Sequence, residues 1–187
     1  MSRLPLTPAE QAHLRLLERW RKAMNLIGPG PAEPHFEDAA RAVGWLEAPE
    51  GLWADLGSGA GFPGVALAAR FPSLRVWLVE PRARRAAFLE QVAAEAGLGN
   101  VTVQRCRSET LNDTFFDGVV SRAYKPPEAF LEDAARLLRP GGIAILMLAR
   151  QDPPPAPGLE VFHVEHYALE GRPRAAVAYR ATDKKAG

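Results

Sequence analysis

The residues with the most chemical content form one run, Asp55-Leu56-Gly57-Ser58-Gly59-Ala60-Gly61-Phe62-Pro63-Gly64. A short apolar run (Leu52, Trp53, Ala54, Leu56) carries an acid near its end, opens into glycines, and is followed by an Ala-rich apolar segment. That order reads as strand, glycine-rich turn, helix. Glycine in such a turn takes positive φ and lets a ligand approach the main chain, while the next helix offers unpaired N–H groups to electron-rich atoms. The spacing Gly59-x-Gly61-x-x-Gly64 also fits a dinucleotide-binding turn. Two carboxylates favour S-adenosylmethionine instead. Asp55 ends the first strand, where a carboxylate can receive an ammonium group. Glu80 follows the apolar run Val76-Trp77-Leu78-Val79, where it can accept both hydroxyls of a ribose. Glu80 would serve adenosine in either cofactor, so Asp55 and the later motifs have to discriminate.

Four motifs in order, Asp55 through Gly64, Leu78-Val79-Glu80, Arg107-Ser108-Glu109 and Ser121-Arg122-Ala123, resemble the small-subunit ribosomal RNA guanine-N7 methyltransferases, also called the glucose-inhibited division protein B family. The Phe-Pro-Gly ending of the loop and the Ser-Arg-Ala triplet are more specific than the glycines, and the resemblance covers roughly residues 10 to 150. It implies an S-adenosylmethionine-dependent enzyme acting on 16S ribosomal RNA or the small ribosomal subunit. In that reading Gly57, Gly59 and Gly61 shape the pocket, Asp55 and Glu80 grip the polar ends of the cofactor, and Phe62 lines it. Ser108 and Glu109 hold adenine, with a helix-start carboxylate as the other reading of Glu109. Arg122 pairs with the methionyl carboxylate or a substrate phosphate, a plain surface salt bridge being its alternative. Two departures stand out. His35-Phe36-Glu37-Asp38 resembles the family's His-x-x-Asp element but continues into Ala39-Ala40 instead of the usual Ser-Leu, and Arg150-Gln151 replaces the usual lysine-glycine pair.

Guanine N7 carries a lone pair at neutral pH, so methyl transfer to it needs alignment within about 3 to 3.5 Å and no strong base. No catalytic residue is therefore assigned, beyond an orienting role for Arg122. Two other functions stay open at this point: a methyltransferase of the same fold acting on a small molecule or protein, and a non-catalytic relative that binds the cofactor.

A chain of 187 residues with 47% hydrophobic content suits one compact unit with a sizeable core. It has no apolar run of about eighteen residues and no apolar leader at its start, so a cytoplasmic protein without a membrane segment is expected. Its single cysteine, Cys106, rules out a disulfide framework and reads as a small buried strand-end residue. His163 and His166 lack partners at metal-ligand spacing, so they read as hairpin residues and no metal is expected. A net charge of +1 carries no nucleic-acid signal, but Arg82, Arg84, Arg85, Arg105 and Arg107 gather near strand ends. They suit either RNA contact or an ordinary solvated face. A monomer is expected.

The elements that would position these residues follow from caps and periodicity. Thr7-Pro8-Ala9-Glu10 starts a helix running to about residue 24, with Leu14, Leu17, Trp20 and Met24 as its packing stripe. Residues 28–34 read as a loop rich in proline and glycine, and a helix through Arg41 to Leu46 would put Phe36, Ala39, Val43 and Leu46 on one side. His35 and Asp38 are expected to make local hydrogen bonds beside the approach to the glycine loop, a catalytic role being the alternative. Further helices are expected over 65–70, 82–96 and 128–138, and strands over 101–103, 116–120 and 143–148. Arg139-Pro140-Gly141-Gly142 reads as the turn before the last of these strands. Lys125 is placed at the mouth of the site to meet RNA phosphate. After the proline-rich stretch 152–158, strands over 159–167 and 175–180 should pair antiparallel. The resulting fold class is α/β, a class I methyltransferase: a Rossmann-like, doubly wound, mostly parallel sheet with a C-terminal antiparallel hairpin. Residues 1–46 form a helical cap, 47–182 the methyltransferase domain, and 183–187 a loose tail.

Overall fold

The computed structural model describes residues 5–112, 115–149 and 152–182. Seven strands, β1 (Leu52–Leu56), β2 (Arg75–Val79), β3 (Val101–Gln104), β4 (Phe116–Arg122), β5 (Leu138–Leu148), β6 (Leu159–Leu169) and β7 (Arg172–Ala181), form one sheet in the order β3-β2-β1-β4-β5-β7-β6. The first five are parallel, and β7 runs antiparallel between β5 and β6. Helices α3 (Gly64–Arg70), α4 (Ala83–Glu95) and α5 (Pro127–Leu137) make the crossovers, which is the doubly wound arrangement expected. The chain order reverses at β1, which pairs with both β2 and β4. A crevice therefore opens beyond the carboxyl ends of these strands. Among the described residues no helix is long and apolar enough to cross a membrane.

Helix α1 (Pro8–Met24) opens with the expected capping box: the Thr7 N–H donates to Glu10 Oε2 (2.8 Å) and the Glu10 N–H to Thr7 Oγ1 (3.2 Å). Its buried face is different from the apolar stripe. Glu10, Ala12, His13, Leu16 and Leu17 point inward, while Leu14, Trp20 and Met24 are half-buried at the flanks. The reason is that the two polar residues find partners inside the fold. Arg70 binds both oxygens of Glu10 (Nε–Oε1 3.0 Å, Nη2–Oε2 2.9 Å), and His13 Nε2 lies 2.7 Å from the Ala60 carbonyl. Hydrophobic periodicity does not register such residues.

The second helix, α2 (Glu33–Val43), takes in Glu33 and Pro34 from the stretch read as loop and ends before Leu46. Pro34 sits in its first turn, where a missing N–H costs nothing. His35 and Asp38 are thus carried near the start of α2. Likewise Ser121 and Arg122 are the last two residues of β4, and Arg139-Pro140-Gly141-Gly142 lies within β5 rather than before it. There the β4–β5 register jumps between Phe116↔Leu138 and Gly118↔Ile143, a bulge in place of the expected turn. The closing hairpin is longer than expected because its loop is only Glu170-Gly171, both at positive φ (49° and 74°). Residues 183–187 and Arg150 lie outside the described residues.

One hydrophobic cluster joins Leu16 and Leu17 of α1 and Phe36, Ala39 and Val43 of α2 to Phe62, Val65 and Phe88. A second fills the opposite face with Leu56, Phe116, Phe130, Leu137 and Tyr179. The sheet is covered on both sides, which is why its central strands are continuously apolar.

Candidate functional site

Asp55 is fully buried near the tip of β1. Its Oδ2 accepts the Gly64 N–H (3.0 Å), while Oδ1 has no hydrogen-bond partner among the described residues. Burial raises its pKa to about 7, against the pull of the Gly64 N–H. The nearby Ser58 hydroxyl donates to the Asp55 carbonyl (2.9 Å). The turn itself is strapped to β2, since the N–H groups of Gly57 and Ser58 both donate to the Val79 carbonyl (2.9 and 3.0 Å). Gly57 has φ of 72°, and a Cβ there would fall 2.2 Å from the Tyr124 ring, so only glycine fits.

Glu80, buried past the end of β2, accepts the Gly59 N–H at Oε2 (3.1 Å) and the Arg82 N–H at Oε1 (2.9 Å). It holds the turn while each oxygen keeps a second lone pair for a ligand. A cavity of about 490 Å³ opens beside it, lined among others by Gly57, Glu80, Ser108, Glu109 and Tyr124. Cys106 also lines this cavity and is half-buried, two residues beyond β3, rather than fully buried at the strand end.

Ser108 and Glu109 begin a single helical turn, Ser108–Thr110. The buried Ser108 hydroxyl is bonded to the Tyr124 hydroxyl and to Asp133 Oδ2 (3.1 Å). Glu109 is exposed, and its hydrogen bond from Lys125 holds its carboxyl down at about 2. Lys125 Nζ bridges Glu109 (2.7 Å) and Asp133 (2.8 Å), so the lysine expected to reach RNA phosphate is engaged within the protein. Arg84 and Arg85 are also occupied, donating to the Ala23 and Asn25 carbonyls at the end of α1. Arg82, Arg105 and Arg107 are exposed.

On the other side of the turn, the Arg122 guanidinium lies over the Phe62 ring (4.7 Å to its centroid). Its Nη1 donates to His35 Nδ1 (3.2 Å) and pairs with Asp38 Oδ2 (3.4 Å), and the Tyr167 hydroxyl donates to Asp38 Oδ1 (2.7 Å). Burial, then the Arg122 charge, lowers the His35 pKa to about 4, so the imidazole is neutral. The bonds of His35 and Asp38 are therefore long-range rather than local, and the Arg122 pair is largely buried rather than a surface salt bridge. A second cavity of about 620 Å³ adjoins this cluster, with His35, Asp38, Arg122 and Leu148 in its wall.

Four residues of these networks were invisible in the sequence: His13, Tyr124, Asp133 and Tyr167. None belongs to a motif, and each acts through a partner distant in the chain. For His13 and Asp133 the available signal was a polar residue at an inward position of a helix otherwise read as amphipathic; Tyr124, after β4, and Tyr167, on β6, carried none. His163 and His166 lie on β6, His163 stacked on Trp45 (4.2 Å between centroids) and His166 exposed.

The family described as rRNA small subunit methyltransferase G matches residues 8–153. The chain belongs to this family. A curated relative from Methylibium petroleiphilum, named ribosomal RNA small subunit methyltransferase G, is 33% identical over 185 residues, covering 90% of this chain and 84% of the relative. Another of that name, from a Nocardioides strain, is 50% identical over 99 residues, 52% of this chain; the chain spans only 40% of that relative's length. Among solved structures, a putative O-methyltransferase from Klebsiella pneumoniae superposes with a TM-score of 0.68 over 96% of this chain and 92% of that one, at 18% identity. That likeness is of fold, the class I methyltransferase sheet.

Proposed function

We propose that this chain is an S-adenosylmethionine-dependent methyltransferase that methylates N7 of a guanine in 16S ribosomal RNA, in the cytoplasm and as a single chain. The observation that carries the cofactor is the Oδ1 of Asp55, unpartnered among the described residues, a fully buried acceptor beside a turn that only glycine can form at Gly57. A buried carboxylate oxygen without a partner is costly, and an ammonium group of a ligand relieves that cost. Family membership supports the ribosomal RNA target.

The residues fit the donor end to end. Asp55 receives the ammonium and becomes fully ionised in doing so. Glu80 offers its remaining lone pairs to the ribose hydroxyls, and Gly57, Gly59 and Gly61 leave room along the main chain. The Ser108-Glu109 turn and Tyr124 wall the adenine side of the cavity. Arg122 lies over Phe62 and is paired with Asp38, and the target base enters the second cavity, which has Arg122 and Asp38 in its wall. The donor supplies an electrophilic methyl group on a sulfonium. Attack by N7 releases no proton, so no side chain has to act as a base, and the neutral His35 is free to serve as a hydrogen-bonding partner of Arg122.

The test is transfer of labelled methyl from S-adenosylmethionine to small ribosomal subunits, to naked 16S ribosomal RNA and to a small-molecule panel, with nucleoside analysis of the product. N7-methylguanosine in the ribosomal RNA is expected. Label only in small molecules, or binding without transfer to any acceptor, would overturn the RNA assignment.

A further inference from the structure

The cofactor-facing turn has a second support that no motif marks. His13, in the middle of α1, is fully buried and packs against the rings of Phe36, Phe62 and Phe88 (centroids 5.1, 4.9 and 6.1 Å away). Its Nε2 stands 2.7 Å from the carbonyl oxygen of Ala60, across 47 residues of sequence. A carbonyl oxygen only accepts, so Nε2 carries the hydrogen and Nδ1 is left as a bare acceptor, without a partner among the described residues. The fit to the turn is close: a Cβ on Gly61, whose φ is 96°, would lie 3.1 Å from the imidazole Cε1.

We infer that His13 is a positioning residue for the cofactor, holding the Ala60 peptide so that the glycine turn keeps the shape that receives the methyl donor. The inference rests on the donor reading of the turn. Ala60 lies between Gly59, whose N–H is held by Glu80, and Gly61, whose N–H donates to the Ser58 carbonyl (2.7 Å). Each neighbour of the Ala60 peptide is thus tied to the body of the protein or to the turn, and the Ala60 carbonyl itself is tied to α1. Cut free, this buried carbonyl loses its partner, and the turn gains conformers that rotate it toward water. Glycines on either side make that rotation easy. The apparent affinity for the donor then falls by the fraction of time the turn spends in its competent shape. On this view α1 braces the turn from the core side as well as covering the core.

The test compares two side chains of equal length, His13→Met and His13→Gln, which differ in whether they carry a donor. Binding of S-adenosylhomocysteine, the demethylated product, is measured by calorimetry on the full chain, alongside thermal melting. His13→Met is expected to bind about tenfold more weakly, the worth of one hydrogen bond, and His13→Gln to recover most of that loss. Melting points of the two variants should match within a few degrees, because a purely structural role would lower affinity only through stability. His13→Phe, which keeps the ring contacts, replaces His13→Met if the latter does not melt cooperatively. Wild-type affinity in the donor-free variant would overturn the inference. So would failure of both donor-free variants to fold while His13→Gln folds, since the bond would then be a requirement of the fold. If the wild-type protein itself binds no S-adenosylhomocysteine, the donor reading of the turn fails instead.

Discussion

Two aspartates sit at opposite ends of the neighbouring strands β1 and β4, and the protein treats them differently. At the amino end, Asp117 accepts the Leu52 N–H at Oδ2 (2.7 Å), and its Oδ1, which has no hydrogen-bond partner among the described residues, is ion-paired with Arg139. At the carboxyl end, Asp55 is buried with one oxygen satisfied by Gly64 and the other by nothing among the described residues. The first has its charge compensated by an exposed arginine of the protein itself. The second leaves its charge for something that arrives. A carboxylate held this way destabilises the unliganded protein, and that cost is returned when a cation binds.

Asp55→Asn is the substitution that would break this contrast most clearly. Removing the charge that meets the ammonium is expected to weaken S-adenosylhomocysteine binding by at least about a hundredfold in calorimetry. The same change should raise the unliganded melting point at pH 8. Because the folded-state pKa of Asp55 is raised to about 7 from 3.8, the folded protein holds a proton that the unfolded chain has released. The contribution of this group to stability therefore falls as pH rises between those values, and asparagine removes the fall. In the wild type, ligand affinity should drop about tenfold for each pH unit below 7, as protons compete for Asp55, and level off above. Affinity that is flat from pH 5 to 8 would contradict the pairing.

Within the carboxyl end, Gly57→Ala should cost about 2–4 kcal/mol of stability, because its Cβ meets the Tyr124 ring as well as the penalty of positive φ. Gly59→Ala should cost only about 1–2 kcal/mol, since its φ of 54° is mildly unfavourable for alanine and the nearest atom lies 3.6 Å away. Equal losses in chemical denaturation would mean that the Tyr124 contact is not what makes glycine necessary. At the amino end, Asp117→Asn should cost about 1–2 kcal/mol, read as a lower melting point, with ligand affinity unchanged. A change in affinity there would show that the two ends are coupled. The smallest effect belongs to Glu109→Gln: its carboxylate is exposed, and Lys125 retains Asp133, so affinity should change by less than about threefold. A larger loss would place Glu109 directly on the ligand.

Much of the scaffold was legible before the structure. Capping chemistry located the start of α1, apolar runs located β1, β2 and β4, and glycine spacing located the turn, because each rests on interactions within a few residues. The readings that failed share a cause. Glu33 and Pro34 looked like the end of a loop because Pro34 was taken as a breaker, although the first turn of a helix accepts it. Arg139-Pro140-Gly141-Gly142 looked like a turn, although pairing with β4 carries the strand through it as a bulge.

The amino-acid sequence by itself determined the alternation of strands and helices and put acids at the tips of β1 and β2, since propensity, periodicity and turn chemistry act locally. Only the tertiary structure decided which of those acids would be satisfied. It joined His13 to Ala60, Arg122 to His35 and Asp38, and Tyr167 to Asp38, across 47, 87, 84 and 129 residues. No local pattern encodes such pairings, because each polar group is stable in the interior only once packing has brought its distant partner within hydrogen-bond reach.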